Sequence, residues 1–134
     1  MRDHFKILWE FLTTDDSDAD SLYAACGTRV WTNIIDPEWT NTTKALLFYC
    51  EQSKPEPARN CIRSSFRFHC FGGSGNPDDA LDVAIRLHYR LDAATATTAT
   101  GELRHAECID MTIGPDDPER GWPRHFALYE VLTI

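Results

Sequence analysis

No Cys-x-x-Cys pair occurs in the 134 residues, and the five cysteines (Cys26, Cys50, Cys61, Cys70 and Cys108) are odd in number. A disulfide framework is thereby excluded, and folding in a reducing, cytoplasmic setting is expected. Basic charge is scarce: 13 lysines and arginines stand against 21 aspartates and glutamates, a formal net charge of −8. A protein that grips nucleic acid by neutralising phosphates needs a clustered basic surface, so that class is disfavoured. A protein that lets DNA pass without holding it is not. Long hydrophobic runs are missing too. The longest, Ala45 to Cys50, is far short of the ~20 residues that cross a bilayer. Met1-Arg2-Asp3-His4 introduces charge at once with no long apolar stretch behind it, so no signal peptide is expected. No internal repeat is visible.

What is present is a 43% hydrophobic chain, too apolar for disorder and of a length suited to one domain over residues 1–134. Its organising stretch runs from Ile62 to Leu91. Ile62, Phe66, Phe68 and Cys70 alternate with Arg63, Arg67 and His69 as a strand. Gly72-Gly73-Ser74-Gly75 makes a turn. Asn76 then suits a helix N-cap, Pro77 the first helical position, and Asp78 and Asp79 the first turn. Leu81, Ala84, Ile85, His88 and Leu91 recur at helical spacing, with Ala80 and Leu87 widening the face, and Asp82 can pair with Arg86 on the other side. A strand, a glycine loop and a helix can also cradle a phosphate. Here Pro77 deletes an N–H, the aspartates occupy the anion's ground, and the glycines match neither the dinucleotide nor the Walker pattern. A structural turn is the better reading.

Elsewhere, helical spacing of Phe5, Leu8, Trp9 and Leu12 predicts a first helix over about residues 2–12. A second is expected from Ser17 to Cys26, stopped by Gly27. Strands are expected over Arg29–Ile35, Thr43–Gln52, Leu103–Ile113 and Phe126–Ile134, the last with Phe126, Leu128, Leu132 and Ile134 on one face. Ser53–Asn60 and the low-complexity run Ala93–Gly101 read as loops, the latter flexible. The order α-α-β-β-β-α-β-β implies an α+β fold. It is a mainly antiparallel sheet of about five strands with helices on one face.

Candidate chemistry is thin. Asp16-x-Asp18-x-Asp20 begins like a calcium loop but has Ser21 and Gly27 where glycine and glutamate belong. His69 and Cys70, being adjacent on a strand, face opposite ways, as do His105 and Cys108. Neither pair suits zinc or a Cys–His nucleophile. His88 reads as a core histidine. No catalytic constellation, cofactor site or metal site emerges, so a non-enzymatic role is expected, with a small thiol-enzyme or ligand-binding domain as a remote alternative.

Three motifs carry a resemblance: Gly27-Thr28-Arg29-Val30-Trp31, Phe68-His69-Cys70-Phe71-Gly72 leading to Asp79-Ala80, and Asp116-Asp117-Pro118-Glu119-Arg120-Gly121-Trp122-Pro123-Arg124 followed by Phe126 and Tyr129. In this order around these helices the chain resembles the tail terminator, or tail completion, family of siphophages. It departs from many members in having Asn41-Thr42-Thr43-Lys44 where they carry a proline-led start to the second strand. The resemblance implies a structural virion protein that is assembled in the host cytoplasm. It would form a ring, usually a hexamer of itself, at the head-proximal end of the tail. That ring caps the tail tube protein and joins the neck or head-completion protein, while DNA passes unbound through the lumen and no membrane is involved. Another head–tail connector, such as a stopper or adaptor ring, is the alternative. Interface candidates are the loops Ser53–Asn60, Ala93–Gly101 and Gly114–Pro123, with Lys54, Arg59, Arg120, Trp122 and Arg124 as the residues. Trp122 is the expected anchor, unless it folds back on its own core.

Overall fold

Period-two alternation in the long strands decides which side of the sheet the helices cover. In the computed structural model, which describes residues 2–134, β3 (Cys61–Phe71) turns Ser64, Phe66, Phe68 and Cys70 inward as one buried row. Leu46 and Phe48 of β2 (Ala45–Glu56) and Ala127, Tyr129 and Val131 of β6 (Arg124–Thr133) extend it. Against this row pack α1 (His4–Leu12), α2 (Leu22–Cys26) and α3 (Pro77–Leu91). With β1 (Val30–Thr32), β4 (Ala96–Thr97) and β5 (Glu102–Ile113), the sheet has six strands in the order β1-β2-β3-β6-β5-β4. β1 runs parallel to β2 and every other pair is antiparallel. The expected α+β architecture is observed, with one strand more than the sequence suggested.

Helix starts follow local chemistry. The Asp3 carboxylate accepts the Lys6 N–H, Ser21 Oγ that of Ala24, and Asn76 Oδ1 that of Asp78. α2 is shorter than expected because Asp16 and Asp18 take the N–H groups of Asp18 and Asp20 in side-chain turns that compete with a helix. Gly27, at φ +55°, ends it.

Three further expectations are corrected. The stretch Ser53–Asn60 is mostly strand: Lys54 pairs with Arg63 and Pro55 with Ile62, before a single 3-10 turn, Pro57–Arg59. Pro55 is tolerated because β1 covers β2 only at Leu46–Phe48, leaving an edge where a missing N–H costs nothing. The run Ala93–Gly101 contains β4, and Thr98 and Thr100 are tied to the Glu10 carboxylate. Finally, α3 is rolled away from the expected face. Ala80, Val83, Ala84, Leu87 and Leu91 are buried, whereas Leu81 and Ile85 point out. The roll follows the charged side. Asp82 meets Lys44 Nζ at 2.6 Å and Arg86 at 2.8 Å. Arg86 also donates to the Ala19 and Ser21 carbonyls, and Arg90 to that of Phe11. His88 is accordingly half-exposed rather than a core histidine, with its Nδ1 2.9 Å from the Tyr129 hydroxyl. Phe126, Leu128 and Leu132 do share a face, but it is the one turned away from the helices.

The glycine turn is a rigid corner. A Cβ on Gly72 would stand 2.4 Å from the backbone of α3 at Asp79 and Ala80. Gly73 has φ +77°. Its N–H goes to Asn41 Oδ1, and Asn41 Nδ2 donates to the Ser74 carbonyl. Asn41 thus fixes the lead-in to β2, the place where the family's proline is absent. The N–H groups a phosphate would need are spent on the protein's own side chains. For the rolled helix, Leu87→Ala should cost about 2–5 kcal/mol of unfolding free energy, and Ile85→Ser at a partly exposed position about 0.5 kcal/mol or less. Urea unfolding of dilute protein measures both; equal losses would contradict the observed face.

Candidate assembly surfaces

Among the described residues no helix covers the second face of the sheet, where β2, β3 and β6 present a polar and aromatic ladder. Arg67 Nε bonds Glu51 at 2.8 Å, and Arg63 bonds Glu130 at 2.7 Å. His69 lies between Tyr49, whose hydroxyl is 3.3 Å from its Nε2, and Phe126, 4.6 Å away between ring centroids. The guanidinium groups of Arg124 and Arg67 stand 4.9 and 6.0 Å from the Phe126 ring. Burial, and then the charges of Arg124 and Arg67, lower the His69 pKa to about 4.

At one end of this face a second apolar cluster forms from Ile35, Leu47 and Phe71 with Trp31, Trp39 and Trp122. Trp122 meets Trp39 at 5.0 Å and Phe71 at 6.2 Å, both edge-to-face, and Arg120 covers it at 4.9 Å. The loop that carries it is ordered by Asp117, which is 9% exposed. One carboxylate oxygen accepts the N–H groups of Glu119 and Arg120, and the other lies 3.8 Å from Arg124. Arg124 Nε also donates to the Pro115 carbonyl.

The structure divides the five interface candidates. Arg120, Trp122 and Arg124 are together beside the tryptophan cluster. Lys54 and Arg59 are exposed at the far tip of the β2–β3 hairpin, where Arg59 is 3.9 Å from Glu56. From Arg63, opposite Lys54, to Phe71, opposite Arg124, is eight residues of strand, roughly 26 Å. They therefore belong to two separate surfaces.

What the sequence reading missed is a set of exposed apolar side chains: Leu81, Ile85 and Tyr89 on α3, and Ile109 and Ile113 on β5. The signal was present. With Val83 in place of Leu81, Ile85 and His88, the expected Ala80, Ala84, Leu87 and Leu91 still make a regular helical repeat, and that face exposes Leu81, Ile85 and Tyr89.

The thiols are disfavoured as thiolates. Burial raises Cys26 to about 12 and Cys70 well above the ordinary thiol range; burial also raises Cys50, Cys61 and Cys108. Among the described residues no three of His, Cys, Asp or Glu converge as metal ligands, and no helix is long and apolar enough to cross a membrane. The histidines set a pH dependence instead. His69, His4 and His125 are all lowered in the fold, chiefly by burial. The unfolded chain therefore binds protons, from an ordinary histidine pKa of about 6.5 downward, that the native state refuses. Stability should fall as pH drops from about 6.5 towards 4, and His69→Gln should remove part of that slope. Urea midpoints at pH 7 and pH 5 test this; an unchanged slope in the variant would contradict the burial of His69.

No protein-family model matches this chain, and no curated protein matches it in sequence. Among solved structures, its fold is similar to that of a chain in the virion of a native gene transfer agent particle. The TM-score is 0.67 at 13% identity, over 96% of this chain and 92% of that one.

Proposed function

We propose that this protein is a structural component of a phage-like particle. In that reading it forms a ring at the head-proximal end of the tail, ends growth of the tail tube and links tail to neck. The observation that carries the proposal is the likeness to a virion chain over nearly the whole length of both proteins. The ordered motifs support the finer reading. Gly27 ends α2 ahead of β1, Gly72 marks the corner before α3, and Trp122 precedes β6. Three further features favour assembly over chemistry: the thiols are held protonated, the loops are pinned, and the net charge is −8. A negative lumen does not hold DNA that must move through it. A ring also needs two different patches per subunit, closing by rotation; a hexamer is the stoichiometry that the family resemblance implies.

Purified protein added to isolated tail tubes should appear by negative-stain microscopy as a ring on one end of each tube and should halt further addition of tube protein. Binding to isolated necks but not to tubes would favour the connector reading. No ring and no binding to either would reject both. A ligand-binding or catalytic activity abolished by Cys70→Ser, with assembly unchanged, would favour a thiol enzyme instead. In the same preparation, double-stranded DNA should show no mobility shift at physiological salt.

A further inference from the structure

On α3, Ile85 and Tyr89 follow one another by four and are 42% and 83% exposed, with no partner in the fold. They stand over a groove where α3 meets the chain between α1 and α2. One cavity of about 260 Å³ is lined by Asp20, Asp82, Ile85, Arg86 and Tyr89. A second, of about 390 Å³, shares Asp20, Arg86 and Tyr89 with it and reaches Asp16, Asp18 and Arg90. The arginines of the groove are spent inward. Arg86 bonds Asp82 at 2.8 Å and donates to the Ala19 and Ser21 carbonyls. Arg90 donates to the Phe11 carbonyl and lies 4.0 Å from the Phe11 ring. The aspartates are left over. Residues 13–21 hold four aspartates and no lysine or arginine. Asp18 and Asp20 enter no ion pair among the described residues, and Asp16 acts on Arg90 only at longer range. The mouth of the groove is thus one aromatic and one aliphatic side chain rimmed by carboxylates.

The tip of the β2–β3 hairpin has the opposite character. Lys54 is exposed and enters no ion pair among the described residues. Arg59, with its side chain 77% exposed, only approaches Glu56 of its own turn, at 3.9 Å. Pro55, Pro57 and the 3-10 turn hold the two cations on a stiff projection. The tip does not reach the groove of its own chain. Lys44, just ahead of β2, holds Asp82 of α3 at 2.6 Å, which places the groove at the start of β2. From Ala45 to Lys54 the strand advances nine residues, roughly 30 Å. From Asp82 to Tyr89 the helix returns seven residues, only about 10 Å. Acidic groove and basic tip therefore sit at different ends of one subunit.

We infer that the β2–β3 hairpin tip of one copy docks in the α3 groove of a second copy, head to tail. Lys54 and Arg59 meet the carboxylates of Asp16, Asp18 and Asp20. Their aliphatic stems lie along Ile85 and Tyr89, and the Tyr89 ring offers a face to a cation. The inference rests on the ring reading above and names its subunit interface. Charge complementarity selects the occupant: in a chain of net charge −8, the tip supplies two exposed cations that its own fold does not neutralise, and the groove supplies the carboxylates. Two unlike patches at different ends of the subunit are also what a heterologous contact requires.

The test is an exchange of charges. Lys54→Glu with Arg59→Glu reverses the tip, and Asp18→Lys with Asp20→Lys reverses the groove. Asp18 also accepts the Asp20 N–H, so Asp20→Lys alone stands in should far-UV circular dichroism show the double variant unfolded. By native mass spectrometry and sedimentation, the unsubstituted protein should form closed multimers that weaken as salt rises. Each variant alone should self-associate at least about tenfold more weakly, because like charges then face one another across the contact. Mixed one to one, the two variants should regain multimers, since the acidic tip meets the basic groove and the basic tip meets the acidic groove. Variants that multimerise like the unsubstituted protein, a mixture that stays monomeric, or an unsubstituted protein that never self-associates would each overturn the inference. Unchanged self-association with lost binding to tail tubes would assign the groove to a basic segment of another protein and overturn it too. If the variants cap tail tubes as multimers, only this contact is wrong; if the unsubstituted protein multimerises but caps nothing, the functional reading fails and the contact stands.

Discussion

The buried row along β3 is the constraint on which the rest of the molecule depends. Phe66, Phe68 and Cys70 are fully buried in the centre of the sheet, with β2 and β6 on either side. Phe66 packs on Phe5 at 5.3 Å and Phe48 at 5.7 Å, and Phe68 meets Phe48 at 5.4 Å and Tyr129 at 5.7 Å. Because side chains alternate, committing these residues inward commits Arg63, Arg67, His69 and Phe71 outward. The helix-covered core and the open aromatic face are therefore two results of a single register.

That register also positions the ends. The strand-to-helix corner at Gly72 has no room for a Cβ, because the start of α3 at Asp79 and Ala80 closes against it. Asn41 ties that corner to the start of β2 through Gly73 and Ser74. The Asp117 carboxylate does the same for the loop before β6, carrying Trp122 onto Phe71. Buried hydrogen-bonding side chains thus fix the connections, and apolar contact fixes the layers.

Function, in this view, resides in what the fold leaves uncovered. Burial of Cys26, Cys61 and Cys70 holds their thiols above the ordinary range, and the Gly73 N–H of the glycine turn is spent on Asn41. What is left to interact are surfaces: the hairpin tip with Lys54 and Arg59, the loop with Arg120 and Arg124, and the exposed apolar side chains of α3 and β5.

Much of this was legible from the chain alone. Local signals defined α3's start, through Asn76, Pro77 and the paired aspartates, and period two defined β3 and its faces. Tertiary contacts decided the rest. The roll of α3 depends on Lys44, Ala19 and Ser21, which lie far from it in sequence, and two helical repeats of similar quality could not be separated without them. The extension of β2 to Glu56 depends on pairing with Cys61, a non-local choice that proline-containing local sequence argued against. The exposed edges, too, appear only once strand order is known. An edge is a property of what lies beside a strand, and that information is not carried by the strand's own residues.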